Sequence, residues 1–149
     1  MSLVTASTQI AATPQQVWQL VMDPSRLGDW VTIHRRLLHA DTGPAAQGFQ
    51  MEQLLHLRGV NVAVRWQLVD CRPFELAVWA GQGPARSRAR TEYHLAAAGS
   101  GTRFDYRNEF AAPLGIIGAL ASRAIVGGIP QREATLSLSR LSSLLSNSS

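Results

Sequence analysis

Residues 13–30 read TPQQVWQLVMDPSRLGDW, and this stretch decides the fold. Thr13 is a typical N-cap residue, Pro14 suits the first helical position, and Gln16 stands where the partner of a capping box reaches back. Asp23-Pro24 then stops this helix and offers the cap and first position of a second one. The stretch therefore predicts two short helices, placed directly after a single strand.

The residues around this helical stretch alternate between apolar and polar, as β-strands do. The clearest case is residues 60–69, where Val62, Val64 and Trp66 share one face. Ala98-Gly99-Ser100-Gly101 is typical of a hairpin loop between the last two strands. The expected strands cover residues 3–10, 32–40, 48–57, 60–69, 74–80, 85–95 and 102–110.

The C-terminal part of the chain divides at Gly127-Gly128-Ile129-Pro130. Residues 114–126 are apolar nearly all round. Residues 130–146 carry leucines at helical spacing, and Pro130 is tolerated only in a first turn. We therefore expect a long amphipathic helix that begins or kinks near residues 129–130, with a frayed tail at residues 146–149.

Composition indicates one intracellular domain spanning residues 1–149. All 14 basic residues are Arg, and with 10 acidic residues they give a net charge of +4. The single Cys71 excludes an internal disulfide and fits a reducing cytoplasm. The N-terminus lacks the features of a signal peptide, and residues 110–121 are too short to span a bilayer. We expect a cytoplasmic protein without stable membrane insertion.

With these residues placed, the chain resembles the polyketide cyclase/dehydrase and lipid-transport family of the START-like, birch-pollen-allergen-like superfamily. The matching segments are ATPQQVWQLVMDPSRLGDW, the strand at Gly48, WQLVDCRPFELAVWAG and AAAGSGTRFDYRNEF. The resemblance implies an α+β helix-grip fold, in which a curved antiparallel sheet of about seven strands wraps a long C-terminal helix around an apolar cavity. The resemblance implies a function as a ligand carrier, a cyclase or an aromatase. It identifies no catalytic residue, because members of the family share none.

Large and polar side chains on the predicted inner faces are the candidate ligand-binding residues. Tyr93, Tyr106 and Asn108 bring polar groups to an apolar face, where buried polar atoms need partners. Trp30, at the exit of the second helix, and Trp79, in the strand 74–80, are either rim residues or simple packing, and the sequence leaves both open. The complete set of candidates is Trp30, Met51, Trp66, Tyr93, Phe104, Tyr106 and Asn108.

Other chemistries lack their signatures in this sequence. Residues 81–86 lack the third glycine of a dinucleotide fingerprint, and residues 34–39 lack the spacing and carboxylate of a zinc helix. We therefore expect no cofactor and no metal. Arg86, Arg88 and Arg90 alternate on one face near acidic residues, which favours a solvated charge ladder over a nucleic-acid site.

Three classes of function follow from these observations. The first is a binding protein that holds a hydrophobic or amphipathic small molecule in a cavity between the sheet and the C-terminal helix. The second is a cyclase, aromatase or dehydratase, with Tyr106 as the first candidate for a general acid and His34 behind it. The third is an interaction module that uses residues 114–126 as a lid, a homodimer contact or a membrane-touching patch.

Overall fold

The computed structural model describes residues 2–111 and 129–146. Seven antiparallel strands form a single sheet in the order β1-β7-β6-β5-β4-β3-β2. The short helices lie between β1 and β2, as predicted. The elements are β1 (Ser2–Ile10), α1 (Pro14–Val21), a 3-10 turn (Pro24–Arg26), α2 (Leu27–Trp30), β2 (His34–Ala40), β3 (Gln50–Leu57), β4 (Val60–Arg72), β5 (Leu76–Gln82), β6 (Arg88–Ala98), β7 (Gly101–Ala111) and α3 (Gln131–Ser146).

The start of α1 is fixed by the capping box that the sequence predicts. Thr13 Oγ1 accepts a hydrogen bond from the Gln16 backbone N–H at 3.2 Å. The Gln16 side chain accepts one in return from the Thr13 backbone N–H at 2.9 Å. Asp23 caps the following 3-10 turn through the Ser25 N–H at 3.0 Å. These bonds satisfy backbone donors that a helix start leaves free, so the prediction of two short helical pieces is confirmed.

The inner faces of the long strands follow the predicted alternation. Val62, Val64, Trp66 and Leu68 of β4 are all buried. β4 runs to Arg72, three residues beyond the expected end, because β5 pairs with it through a register shift between Leu68 and Asp70. An extra residue of this kind bends a strand and increases its twist, which contributes to the curvature of the sheet.

The expected strand 85–95 begins later than predicted. Residues Pro84–Arg86 form a 3-10 turn, and β6 starts at Arg88. Pro84 fixes the first turn position, and Ala85 and Arg86 take positive φ angles of 55° and 63°. Arg86 is therefore a turn residue, and the outward arginines of this strand are Arg88 and Arg90.

The C-terminal helix begins where the sequence predicts it. The Pro130 carbonyl accepts hydrogen bonds from Glu133 N at 3.0 Å and from Ala134 N at 3.3 Å, so Pro130 stands at the helix start. α3 packs against β1 and α2. Its buried side chains are Ala134, Ser137, Leu138 and Leu141.

Three predictions fall on the chain outside the described residues. They concern the apolar segment 114–126, the division of the chain at Gly127-Gly128 and the frayed tail predicted at 146–149, of which Ser146 is the last residue of α3 and 147–149 lie outside.

Candidate functional site

One transverse row of the sheet supplies the polar groups of the interior. The strand register places Trp79 opposite Thr91, and Thr91 opposite Asn108, so three neighbouring strands carry these residues side by side. Thr91 Oγ1 donates a hydrogen bond of 2.7 Å to Asn108 Oδ1. Cross-strand neighbours on one face lie about 5 Å apart. The Thr91 hydroxyl therefore holds the Asn108 amide in one orientation, with Nδ2 directed away from it.

An inner cavity of about 30 Å³ lies over this row. Its cover is the segment from α2 to β2, which contributes Leu27, Val31 and Ile33. The described residues of α3 do not line this inner cavity. The sheet contributes Met51, Gln53, Leu55, Trp66, Trp79, Thr91, Tyr93, Tyr106, Asn108 and Phe110.

Buried hydrogen-bond donors in and behind this cavity lack acceptors. The indole Nε1 atoms of Trp30 and Trp79 and the amide Nδ2 of Asn108 are buried and find no hydrogen-bond partner within residues 2–111 and 129–146. Trp79 and Asn108 line the cavity. A buried donor without a partner costs about 1–3 kcal/mol. Two residues with such donors therefore stand at one small cavity.

The two tyrosines of the chain form the next row of the interior. Tyr93 and Tyr106 face each other across β6 and β7, with ring centroids 5.9 Å apart. Burial raises the pKa of Tyr106 to about 12, although the Asn108 side-chain amide, which approaches the Tyr106 hydroxyl as a donor, opposes the rise. Burial, reinforced by Tyr106, also raises the pKa of Tyr93 well above its usual value. Both hydroxyl groups are therefore protonated near neutral pH.

Gln53 links the cavity wall to His34 through a chain of hydrogen bonds. Trp66 Nε1 donates to Gln53 Oε1 at 2.9 Å. An indole nitrogen can only donate, so the Gln53 amide must direct its Nε2 group towards His34 Nδ1, 2.9 Å away. His34 Nδ1 therefore accepts, and the imidazole proton resides on Nε2. Burial lowers the pKa of His34, which favours this neutral form.

A larger open pocket adjoins the inner cavity. It has a volume of about 740 Å³, and Met51 and Trp66 line both spaces. Gly81 of β5 stands opposite Trp66 in the sheet, and a Cβ atom at position 81 would stand 2.8 Å from the Trp66 ring. Only a glycine lets the Trp66 ring occupy this position. Met51 and Trp66 therefore separate the open pocket from the inner cavity.

The rim of the open pocket carries charges of both signs, including Arg65, Arg88 and Glu52. Arg90 forms an ion pair with Glu92 at 2.8 Å. Such exposed pairs contribute only about 0–1 kcal/mol each. Opposite charges also face each other between β6 and β7, where the register sets Glu92 opposite Arg107.

The structure brings most of the sequence-predicted site residues together. Met51, Trp66, Tyr93, Tyr106 and Asn108 line the inner cavity. The remaining two candidates, Trp30 and Phe104, are fully buried behind the tyrosines and pack edge-on against each other with ring centroids 6.2 Å apart.

His34, the second candidate for a catalytic acid, lines a different pocket from Tyr106, beside Thr32, His56 and Glu133. The His34 side chain is linked to the inner cavity by its hydrogen bond with Gln53, which lines that cavity. The two candidate acids therefore do not face one common substrate position.

Gln53 and Trp79 are the site residues that sequence reasoning missed. Strict alternation along β3 places residue 53 on the inner face between Met51 and Leu55, so Gln53 was detectable as the polar residue of that face. Trp79 was recognised as a strand residue, but the sequence leaves open whether it belongs to the rim or to the packing. Its indole N–H becomes informative only once its surroundings are known.

Residues 2–111 and 129–146 contain no group of three or more His, Cys, Asp or Glu side chains that could hold a metal ion. In the same part of the chain, no helix has the length and apolar character needed to cross a membrane.

Comparisons with known proteins agree with this architecture. The family model described as "Polyketide cyclase / dehydrase and lipid transport" matches residues 1–145. A crystal structure of protein CV1439 from Chromobacterium violaceum superposes with a TM-score of 0.67 at 18% identity, covering 97% of this chain and 98% of that one. The seven-stranded sheet, the C-terminal helix and the short helices after β1 constitute the helix-grip fold.

Two proteins of Mycobacterium tuberculosis are similar in sequence. One is the uncharacterized protein Rv1546, 24% identical over 131 residues, which are 87% of this chain and 92% of that protein. The other is named toxin Rv0910 and is 24% identical over 127 residues, which are 84% of this chain and 88% of that protein.

Proposed function

Because the chain belongs to the polyketide cyclase/dehydrase and lipid transport family, we propose that it binds a hydrophobic or amphipathic small molecule, lipid- or polyketide-like, in its interior. The observation that carries this proposal is the pair of adjoining spaces at Met51 and Trp66. The inner cavity has a mostly apolar wall with a few polar groups, which is the usual composition of a small-molecule site, and the open pocket adds an apolar row among charged and polar side chains.

The open pocket supplies the volume that the inner cavity lacks. At about 740 Å³ it lies within the range of about 300–1,000 Å³ that ligand pockets occupy. Its apolar surface comes from one inward row that contains Met51, Trp66, Gly81 and Ala89. The small side chains at positions 81 and 89 leave room in this row. A ligand would lie on this row and direct one end past Trp66 into the inner cavity.

The enzyme alternative gains less support from the geometry. A general acid works best when its pKa is near the operating pH. The pKa of Tyr106 is about 12, so this hydroxyl is suited to hydrogen bonding with a ligand rather than to proton transfer at neutral pH. A cyclase, aromatase or dehydratase using this cavity stays a prediction. An interaction or homodimer surface at residues 114–126 also stays a prediction.

The proposal is tested by native mass spectrometry of protein purified from its own host. We expect a retained small molecule whose mass is lost on denaturation. Ala89→Met places a long side chain into the open pocket and should abolish the adduct. Ala96→Met introduces the same side chain at an exposed site of the same strand and should retain it. An adduct that persists equally in both variants would contradict binding in this pocket.

A further inference from the structure

We propose that the inner cavity is a binding site for the oxygen atom of a neutral carbonyl group, carried by a ketone, ester or amide on an otherwise apolar ligand. This inference rests on the proposed function, because it requires the interior to admit a small molecule. It adds the chemical class of the group that the cavity recognises.

The side chains that line the cavity can offer several hydrogen-bond donors to an occupant, among them the hydroxyls of Tyr93 and Tyr106, which can also accept. Trp79 Nε1 is buried and has no acceptor in the described part of the chain, and Asn108 Nδ2 is buried without an acceptor at full hydrogen-bond distance there, although it approaches the Tyr106 hydroxyl. The nearby amide oxygens each accept one hydrogen bond already, Asn108 Oδ1 from Thr91 and Gln53 Oε1 from Trp66. A carbonyl oxygen has two lone pairs and no proton, so it can accept from both free donors at once.

The charge of the site favours a neutral group over a carboxylate. The side chains from the described ranges that line the inner cavity are all uncharged. A buried carboxylate without a counter-charge is strongly disfavoured relative to water. A neutral acceptor therefore matches the cavity better than a carboxylate does.

The volume sets how much of the ligand enters the cavity. About 30 Å³ is enough for one or two water molecules, and so for a carbonyl oxygen with its carbon. The remaining ligand would extend past Met51 and Trp66 into the open pocket. Ordered water is the competing occupant, because it could also accept from Trp79 and Asn108.

Two probes that differ only at the carbonyl distinguish these occupants. They are 2-nonanone and 2-methyl-1-nonene, in which a CH₂ group replaces the oxygen. Calorimetric titration gives the affinity of the ketone, and competition gives that of the alkene. The ratio of the two affinities, compared between variants, cancels the different hydration of the probes. Isotope-edited infrared spectra of 2-nonanone labelled at the carbonyl carbon report hydrogen bonding by a shift of the C=O stretch to lower frequency.

Three variants assign the effect to the proposed donors. Trp79→Phe and Asn108→Leu each remove one cavity donor, and each should lower the ketone preference about fivefold, the effect of losing one neutral hydrogen bond. Trp30→Phe is the matched control, because Trp30 is also a buried indole without an acceptor but does not line the cavity. It should leave the preference and the C=O frequency unchanged.

The possible outcomes distinguish the carbonyl site from the more general proposal that the protein binds a small molecule. Loss of ketone preference in both cavity variants, with retention in Trp30→Phe, supports the carbonyl site. Binding of both probes with an unshifted C=O stretch and the same preference in all variants means that water keeps the donors. That result overturns the carbonyl site and leaves the binding function intact. Failure of the wild-type protein to bind either probe contradicts the proposed function itself, and the carbonyl site with it.

Discussion

At the scale of single residues, the interior is controlled by donors and acceptors that must be matched. The Trp66 indole can only donate, so it orients the Gln53 amide, and the amide in turn sets the tautomer of His34. Thr91 orients Asn108 in the same way. Each hydrogen bond therefore fixes the orientation or the tautomer of the side chain that it reaches. Among the described residues, the buried donors that no acceptor matches at full hydrogen-bond distance belong to Trp30, Trp79 and Asn108.

The ionisation of the two tyrosines tests whether the interior excludes water. Tyr93 and Tyr106 are the only tyrosines of the chain, so tyrosinate absorbance near 295 nm reports on them alone. Because burial raises both pKa values, the folded protein should show no tyrosinate at pH 10, where tyrosines of the urea-unfolded chain are about half ionised. The unfolded state then loses protons first, so stability should fall as the pH rises above about 10. Tyrosinate at pH 10 with native circular dichroism would contradict this interior.

At the scale of elements, α3 is joined to the cavity cover by a small hydrogen-bond cluster. The Thr32 backbone N–H donates to Ser137 Oγ at 3.0 Å, and Ser137 Oγ donates to the Glu133 carbonyl at 2.9 Å. Thr32 lies between α2 and β2, next to the cavity residues Val31 and Ile33. The helix therefore positions the cover without lining the cavity with any of its described residues.

Substitutions of two serines on α3 should separate this contact from helix propensity. Ser137→Ala removes the acceptor of the Thr32 N–H and should lower the free energy of unfolding by about 1 kcal/mol. Ser139→Ala, on the exposed face of the same helix, should be neutral or raise it by up to about 0.5 kcal/mol, because alanine is the better helix former. Urea denaturation measures both values. Equal effects of the two changes would show that the Thr32 contact contributes nothing.

At the scale of the whole molecule, the curved sheet brings an open pocket and an inner cavity together at Met51 and Trp66. Trp66 reaches its position because Gly81 leaves space beside its ring, and Gln53 holds its indole N–H. Gln53 also contacts His34 on the neighbouring edge strand. The boundary between the two spaces is thus connected to a histidine that is half-buried at the sheet edge.

The pH dependence of global stability should report on His34. Burial lowers its pKa in the folded state, whereas the unfolded chain titrates near 6.5. Between the two pKa values the unfolded state binds the proton and the folded state does not, so stability falls as the pH drops below about 6.5. In His34→Gln, unfolding free energies measured from pH 7 to pH 5 should decline less steeply than in the wild type. An unchanged slope would contradict a lowered pKa at His34.

The sequence by itself determined the elements and most of the inner faces. Local rules suffice for these features: the Thr13 capping box starts α1, Pro130 precedes α3, and period-two alternation assigns a face to each residue of β4 and β7. The family resemblance, borne by segments along the whole chain, gave the helix-grip fold. The late start of β6 shows where local alternation misleads, because the turn at Pro84 interrupts it.

Only the tertiary structure decided which inward residues meet. Alternation assigns a face but not the register between strands, so it cannot place Trp79, Thr91 and Asn108 in one row. It also cannot show that the Gln53 oxygen is used by Trp66, or that Trp79 Nε1 has no acceptor within the described residues. Whether a buried polar atom is satisfied depends on atoms far away in sequence. The candidate site therefore emerged from the packing of the sheet, whereas the sheet itself could be predicted from the chain.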